Sequence, residues 1–514
     1  MNSRERIAKF RTPELVIALC GPIGSPLHKV SKELCEVLEA TFGYDECEVL
    51  RLSDCIREHA KSVEIEIPDS SRFEQVEALI KAGNLLRKKH GAGILAEIAI
   101  SRIRLGREKA KDDTTGHYHP RRVCHIIDSI KNQEELDILR EVYRDMVYVI
   151  GVFSPMSLRE ETLRKEDLQL SEIYQLIDRD SGEESENGQT VRDTFPQSDF
   201  FLRIDTPNDS QLKKRVERFL HLVLGTELIT PTPSESAMYA AAMAATNSAC
   251  LSRQVGAAVT DSKNQVLGIG WNDVPRFKGG LYQSASSSLQ GDADSDARCW
   301  NREGGKCFND EEKRLFAEEM VSVLKGILPV DQIDAARTAL LRAGKLKGLI
   351  EFSRAIHAEM HAIISATKTA GSLISGGRLY VTTYPCHSCA RHIVAAGIEE
   401  VYYIEPYRKS LALKLHGDAV TEREADKDKV RILAYDGVAP SRYLALFKMP
   451  SEGRKRDGKI IKVYAKEASP KLEKNMQALD VLEAFVVESL VDKKLLMANG
   501  GTDDDDGTPG PVAA

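Results

Sequence analysis

His357, Glu359, Cys386 and Cys389 are residue types from which a metal centre with an acid–base partner can be built. They lie in His357-Ala358-Glu359 and, downstream, in Pro385-Cys386-His387-Ser388-Cys389. One imidazole and two thiolates can hold a zinc ion and leave its fourth position open to water, whose pKa the metal lowers toward neutrality. Glu359 stands outside that ligand set, where a carboxylate can shuttle a proton. A structural zinc knuckle, or a buried histidine beside an unrelated CxxC, is the competing reading. The His-x-Glu upstream and the proline before the first cysteine weigh against it, because the full pattern is far more specific than a CxxC alone.

These residues need rigid elements to hold them. Leu379-Tyr380-Val381-Thr382-Thr383 is a β-rich run leading into Pro385. Arg391 to Ala396 reads as a helix ending at Gly397, and Val401-Tyr402-Tyr403-Ile404 as the next strand. Cys386 and Cys389 are therefore expected at a strand-to-helix junction. The positive end of the helix dipole favours thiolates there. A second helix is expected to begin near His357 and run through Ile363 and Ile364 to Gly371.

His-x-Glu followed by Pro-Cys-x-x-Cys is the signature of zinc-dependent nucleobase deaminases. With its surroundings, residues 236–447, the chain resembles the deoxycytidylate deaminase branch of the cytidine deaminase superfamily. The resemblance includes Ser252-Arg253-Gln254-Val255-Gly256-Ala257-Ala258-Val259 and Gly268-Ile269-Gly270-Trp271-Asn272-Asp273-Val274-Pro275. It continues into Ala395-Ala396-Gly397-Ile398-Glu399-Glu400-Val401. It implies Zn2+ as cofactor on His357, Cys386 and Cys389, with Glu359 as the catalytic proton shuttle. It implies a deoxycytidine nucleotide as substrate. Asn272 would contact the sugar or phosphate. Val255, Gly256 and Ala257 would form the first strand and its approach to the base. Tyr384 joins these as a substrate-binding candidate. The chain departs from the family at His361, where asparagine is usual, and at His387-Ser388 inside the cysteine motif. Some family members hold a second zinc. Cys299 and Cys307, with His361 as a further ligand, are the candidates for it here.

The first 225 residues read as a different unit. Leu15-Val16-Ile17-Ala18-Leu19 is an apolar strand followed by Gly21-Pro22-Ile23-Gly24-Ser25. A helix follows, with Val30, Leu34, Val37 and Leu38 on one face. Strand, Gly-rich turn and helix form a phosphate-binding layout. The G-x-x-x-x-G-K-[ST] pattern nevertheless fails: its second Gly, Lys and Ser/Thr positions hold Pro26, Leu27 and His28. Lys29 and Ser31 lie slightly too far along. The nucleotide-binding candidates are Gly21, Gly24, Ser25, Lys29 and Ser31, with Asp128 at the end of Val123-Cys124-His125-Ile126-Ile127 as a Walker-B-type carboxylate. Arg159, Arg164 and Arg179 stand where lid arginines occur in kinases of this layout. Alternating strands and helices imply a mostly parallel sheet.

The fold class expected is α/β: an N-terminal P-loop-kinase-like parallel sheet with helices, then a cytidine-deaminase-like α/β/α domain. Residues 1–228 form the first domain and 236–450 the second, joined by Thr230-Pro231-Thr232-Pro233-Ser234. Residues 276–352 are an insertion, Ser/Gly/Asp-rich from Gly279 to Asp296, with helices over 310–326 and 331–346. Residues 451–498 form a helical extension with Leu479, Leu482, Phe485, Val486 and Leu490 as an apolar stripe. Residues 499–514, with Asp503 to Asp506, read as a disordered acidic tail.

Composition fits a cytoplasmic enzyme. The 514 residues are 42% hydrophobic and carry a net charge of −7, which does not favour a nucleic-acid-wrapping protein. Ten cysteines lie without a disulfide-like pattern, which favours a reducing compartment. There is no transmembrane-length apolar run, and Met1 to Arg6 lacks a signal-peptide core.

Nearly the whole chain resembles bacterial antiphage deaminases that fuse a P-loop-kinase-like domain to a deoxycytidylate deaminase domain. The resemblance implies depletion of dCMP or dCTP pools during phage infection, and an inhibitory small RNA as partner. A homo-oligomer and a nucleotide effector at the N-terminal domain are further expectations. Three other readings stay open: a nucleic-acid-editing deaminase, a housekeeping dCMP deaminase with a regulatory domain, and a nucleotide sensor with an inactive deaminase fold. The first calls for a basic groove with stacking aromatics, against 6% aromatic content. The second does not account for the long N-terminal region. The third calls for loss of a ligand or the glutamate, and all four residues are present.

Overall fold

The computed structural model describes residues 11–109, 118–180, 191–206, 209–284, 296–343, 346, 348–407, 410–450, 453–472 and 476–496. Most of the Ser/Gly/Asp-rich run and the acidic tail lie outside the described residues. The chain divides into two compact units. One comprises residues 1–230 and 435–514, the other residues 231–434.

The first unit is built on a parallel sheet of β1 (Leu15–Cys20), β2 (Glu46–Arg51), β3 (Val123–Ile130), β4 (Val147–Phe153) and β5 (Phe200–Arg203) in the order β2-β3-β1-β4-β5. Every residue of β1 is buried, which is why it reads as an unbroken apolar run: helices cover both faces of a parallel sheet. Helix α1 (Leu27–Ala40) follows the Gly-rich loop and buries Val30, Leu34, Val37 and Leu38, the face its spacing defines. β1 lies between β3 and β4. The strand order therefore reverses beside it, and the loop after β1 sits at the carboxyl ends of the strands where open α/β sheets form their crevice. α2 (Ile94–Glu108), α3 (Gln133–Tyr143), α4 (Leu170–Asp180) and α5 (Leu212–Leu224) belong to the same unit. Cys35 of α1 and Cys47 of β2 are joined as a disulfide. This departs from the expectation of unpaired cysteines: the hairpin-like return from α1 to β2 brings their Cα atoms to 5.3 Å.

Residues beyond 434 return to this unit. Gly437–Val438 pairs antiparallel with Phe200 and Phe201 at the sheet edge. Arg442 donates to Asp199, whose other oxygen accepts the Val149 N–H. The C-terminal helix Met476–Asp492 buries Glu483 against Arg107 of α2 and the Tyr143 hydroxyl. The boundary expected at 450 thus moves to 434, and the 451–498 extension is an integral part of the first unit. The expected apolar stripe is only half of the buried face. Leu479 and Leu490 are buried, whereas Phe485 is 60% exposed and Glu483 lies inside. Arg107 decides this: a fully buried guanidinium needs carboxylates, and it takes Glu14 and Glu483.

The second unit contains β6 (Gly256–Thr260), β7 (Val266–Trp271), β8 (Arg378–Thr383), β9 (Glu400–Glu405), β10 (Val420–Thr421) and β11 (Val430–Ala434) in the order β7-β6-β8-β9-β11-β10. β6 is antiparallel to both β7 and β8, and the strands from β8 to β10 run parallel. Helix α6 (Pro233–Ala245) starts at a Thr232–Glu235 capping box. Insertion helices α7 (Phe308–Leu324) and α8 (Ile333–Arg342) follow expectation. Then come α9 (Ala358–Ala370) and α10 (His387–Ala395). Alanines and glycines let helices lie close on this sheet. A Cβ at Gly256 would strike the Ala241 backbone of α6, and one at Gly270 the Ala362 backbone of α9. That close approach fixes where α9, and so His357 at its start, stands over the strands.

Candidate metal centre

His357 is the residue that precedes the first turn of α9, and Cys386 occupies the same place before α10. β8 delivers the chain to Tyr384-Pro385, and Ser410 pins the turn by donating to the Pro385 carbonyl at 2.8 Å. Cys386 Sγ accepts the Cys389 N–H at 3.4 Å, which bends the first turn of α10 so that both sulfurs face one point. His357 Nδ1 lies 3.4 Å from Cys386 Sγ and 3.3 Å from Cys389 Sγ. The three donor atoms fall within 4.8 Å of one another. Among the described residues they form the one group of three or more such side chains that converges this closely. One nitrogen and two sulfurs at this separation are the donors that zinc takes.

The electrostatics set the two thiols apart. The Cys389 thiol donates to Cys386 and, with His357, pulls the Cys386 pKa well down. Cys389 is pushed up by the same bond and by burial. His357 is pushed up to about 9, chiefly by its contact with the Cys386 sulfur. Glu359, on the first turn of α9, is 4% exposed, and burial raises its carboxyl pKa. A carboxylate inside the site yet outside the donor set has the placement of a proton carrier.

The expected substrate residues are arranged around two strand ends. Asn272 Oδ1 accepts the Val255 N–H at 2.7 Å, and its Nδ2 donates to the Arg253 carbonyl at 2.9 Å. Its side chain therefore shapes the entry to β6. Val255 is half-buried there, Ala257 is buried within β6, and Gly256 donates its N–H to Thr382. Tyr384 is buried edge-on to Tyr403 with its hydroxyl against Glu422, so its phenol is committed to protein partners. His361 accepts the Trp271 N–H through Nδ1 at 3.2 Å and packs edge-on against the indole. Cys299 and Cys307 do not assemble a second metal group among the described residues. The Arg354 guanidinium lies by one sulfur and the Ser252 hydroxyl by the other.

Sequence reasoning missed Asp273 and Arg298, both buried and facing each other at 3.6 Å. Nothing in the local sequence marks the pair, and only burial distinguishes them.

In the first unit the Gly-rich loop holds a carboxylate of its own. Ile23 donates its N–H to Asp180 Oδ2 at 2.7 Å. Lys131 donates to Asp180 Oδ1 and to the Gly21 carbonyl, each at 2.8 Å. Arg159 donates to the Ile23 carbonyl at 2.7 Å, and Gly24, at φ +82°, packs against Arg159. Lys29 is exposed on α1, and Ser31 donates to the His28 carbonyl. The lysine that the fold brings to the loop is thus Lys131, which follows β3 directly. Ser25 Oγ is buried without a hydrogen-bond partner. Asp128 is half-buried at the end of β3, and burial raises its pKa. Of the lid arginines expected, Arg159 reaches the loop, whereas Arg179 pairs with Glu77.

Residues 231–405 match the cytidine and deoxycytidylate deaminase zinc-binding region. The donor geometry and this match agree on a zinc-binding His/Cys/Cys site in a deaminase-type domain. The chain is 48% identical over 56 residues to ComE operon protein 2 of Bacillus subtilis, 11% of this chain and 29% of that one. It is 25% identical over 154 residues to a probable deoxycytidylate deaminase of Drosophila melanogaster, 29% of this chain and 48% of that one. It is 46% identical over 55 residues to the deoxycytidylate deaminase of Enterobacteria phage T4, 11% of this chain and 28% of that one. The chain thus spans under half the length of each of these three relatives. Among solved structures, the apo dCMP deaminase of cyanophage S-TIM5 covers 40% of this chain and 100% of its own at 18% identity, with a TM-score of 0.22. The tunicamycin resistance protein of Deinococcus radiodurans covers 43% and 100% at 13% identity, also with a TM-score of 0.22. Among the described residues no helix is long and apolar enough to cross a membrane.

Proposed function

We propose that the protein hydrolytically deaminates deoxycytidine nucleotides, dCMP or dCTP, to the deoxyuridine nucleotides and ammonia. Glu359 carries this reading: a buried carboxylate held beside the His357, Cys386 and Cys389 donors, within the stretch that matches the deaminase zinc-binding region. Zinc, when bound, supplies a water whose pKa is lowered toward neutrality. Glu359 would take one proton from that water and pass it to the pyrimidine ring nitrogen, then take the second from the hydroxyl left on the ring carbon and pass it to the departing amine. The water oxygen replaces the amino nitrogen on the ring, so one water is consumed and one ammonia leaves. Burial suits Glu359 to this work, because a raised carboxyl pKa lets it hold the proton between the two transfers. Asn272 acts by holding Val255 and Arg253 in place as the wall of the substrate site.

The protein works in the cytoplasm as a homo-oligomer and depletes deoxycytidine nucleotides in antiphage defence. The first unit regulates without transferring phosphate, since Asp180 occupies the Ile23 N–H and Ser31 donates back to the His28 carbonyl. A nucleotide effector would reach that loop by displacing Asp180. An inhibitory small RNA is the restraining partner that the antiphage resemblance implies.

The test is incubation of zinc-loaded protein with cytosine, deoxycytidine, dCMP, dCTP and a cytosine-containing single strand, with products resolved by chromatography. Deoxyuridine nucleotide from dCMP or dCTP is expected. Turnover of the single strand alone would overturn the reading in favour of nucleic-acid editing.

A further inference from the structure

Arg298 lies in the insertion, yet it is 4% exposed. Its guanidinium binds both oxygens of Asp296, at 2.7 to 3.0 Å, and faces Asp273 Oδ2 at 3.6 Å. Asp273 is buried as well. Its carboxylate accepts the Ala249 N–H at 3.0 Å and the Val274 N–H at 2.8 Å. Its backbone carbonyl accepts the Ile356 N–H at 3.0 Å. Ile356 immediately precedes His357, and Asn272 immediately precedes Asp273. Ser248 closes the cluster by donating to the Asn272 carbonyl. Three segments therefore meet at Asp273: the 248–255 loop that ends at Val255, the 272–274 turn, and the approach to His357. Arg354 donates to the Ala297 carbonyl, so the far end of the insertion is tied to the same place.

We propose that Arg298 is a positioning residue through which the insertion sets substrate affinity. The inference rests on the deaminase reading above. A buried carboxylate that loses its cation must shift or take up a proton. Either change moves the turn whose Asn272 holds Val255 and Arg253. Ile356 ties the start of α9 to Asp273 through the backbone alone, and the three donor side chains are held besides by α9, by α10 and by the bond from Ser410 to Pro385. Loss of Arg298 should therefore displace the substrate wall and leave the donors where they are.

The variants are Arg298→Met and Arg298→Lys in the full chain. Steady-state kinetics with dCMP and dCTP are compared with zinc content, and with equilibrium binding of the same nucleotides in a Glu359→Gln background. Arg298→Met is expected to raise KM and the dissociation constant by on the order of tenfold or more, since small misplacements of positioning groups carry effects of that size. kcat should stay within about threefold and zinc content should not change, the pattern of lost binding rather than lost chemistry. Arg298→Lys, which keeps a cation, should recover part of the loss. A parent protein that deaminates dCMP or dCTP, with KM and binding unchanged in Arg298→Met, overturns this inference alone. Joint loss of zinc, kcat and binding in both variants also overturns it, in favour of a purely structural ion pair. A parent that neither binds nor deaminates any of the nucleotides overturns the deaminase reading and this inference together.

Discussion

The Asp180 carboxylate accepts the Ile23 N–H at 2.7 Å and shares Lys131 with the Gly21 carbonyl. A loop N–H and a lysine are the groups that hold phosphate in strand–loop–helix sites. Here α4 supplies the anion from within the chain. Asp180→Ala should leave both donors open. Phosphate or dCTP binding to the first unit should then tighten by roughly ten- to a hundredfold, the worth of one charge-assisted hydrogen bond freed for a ligand. Calorimetry on parent and variant checks this. Equal affinities would mean that Asp180 does not stand in an anion position.

Glu483 anchors the C-terminal helix to the rest of the first unit. Its carboxylate meets the Arg107 guanidinium and accepts from the Tyr143 hydroxyl, all three fully buried. Glu483→Ala should destabilise the first unit by about 3–5 kcal/mol, the usual cost of removing one partner from a buried pair. Denaturant unfolding should show that loss in the transition assigned to this unit. Zinc content should stay at the parent value, since the donors lie in the other unit.

Glu14 gives the first unit an acid limit. Burial alone would raise its pKa, but Arg107 and Arg121 outweigh that and hold it below the ordinary glutamate value. A depressed folded pKa means stability that is present above the unfolded value, about 4.3, and is lost as pH falls through the folded one. The melting temperature should therefore drop steeply below about pH 4. Glu14→Gln should flatten that dependence. Parallel curves for parent and variant would remove Glu14 as the cause.

Cys386→Ala removes one of three donors and the cap of α10. The variant should purify with zinc well below one ion per chain, as elemental analysis would show. Full zinc occupancy with unchanged activity would place the metal elsewhere.

The parts of this protein most legible in its sequence are those where one physical signal dominates. The unbroken apolar run of β1 and the spacing of Val30, Leu34, Val37 and Leu38 gave the start of the first unit. His357, Glu359, Cys386 and Cys389 announced their site because metal chemistry tolerates few alternatives. What stayed hidden depended on long-range pairing. Nothing local marks Glu483 as the partner of Arg107, 376 positions away, or Lys131 as the lysine of a loop more than a hundred residues earlier. The C-terminal helix was read as an apolar stripe because Phe485 and Val486 outweigh one glutamate in any periodicity count. No local signal marks Arg298 either, whose partner Asp273 lies in a distant turn.

The central claim is that Glu359 moves the proton at a zinc site held by other residues. Its most direct test is the rate of dCMP and dCTP deamination by Glu359→Ala, measured beside zinc content. The variant should keep one zinc per chain and lose at least about 10²- to 10⁴-fold in turnover, the share that general acid–base help contributes. A variant that keeps its zinc and turns over within about tenfold of the parent would contradict the claim, because the proton would then travel by another group.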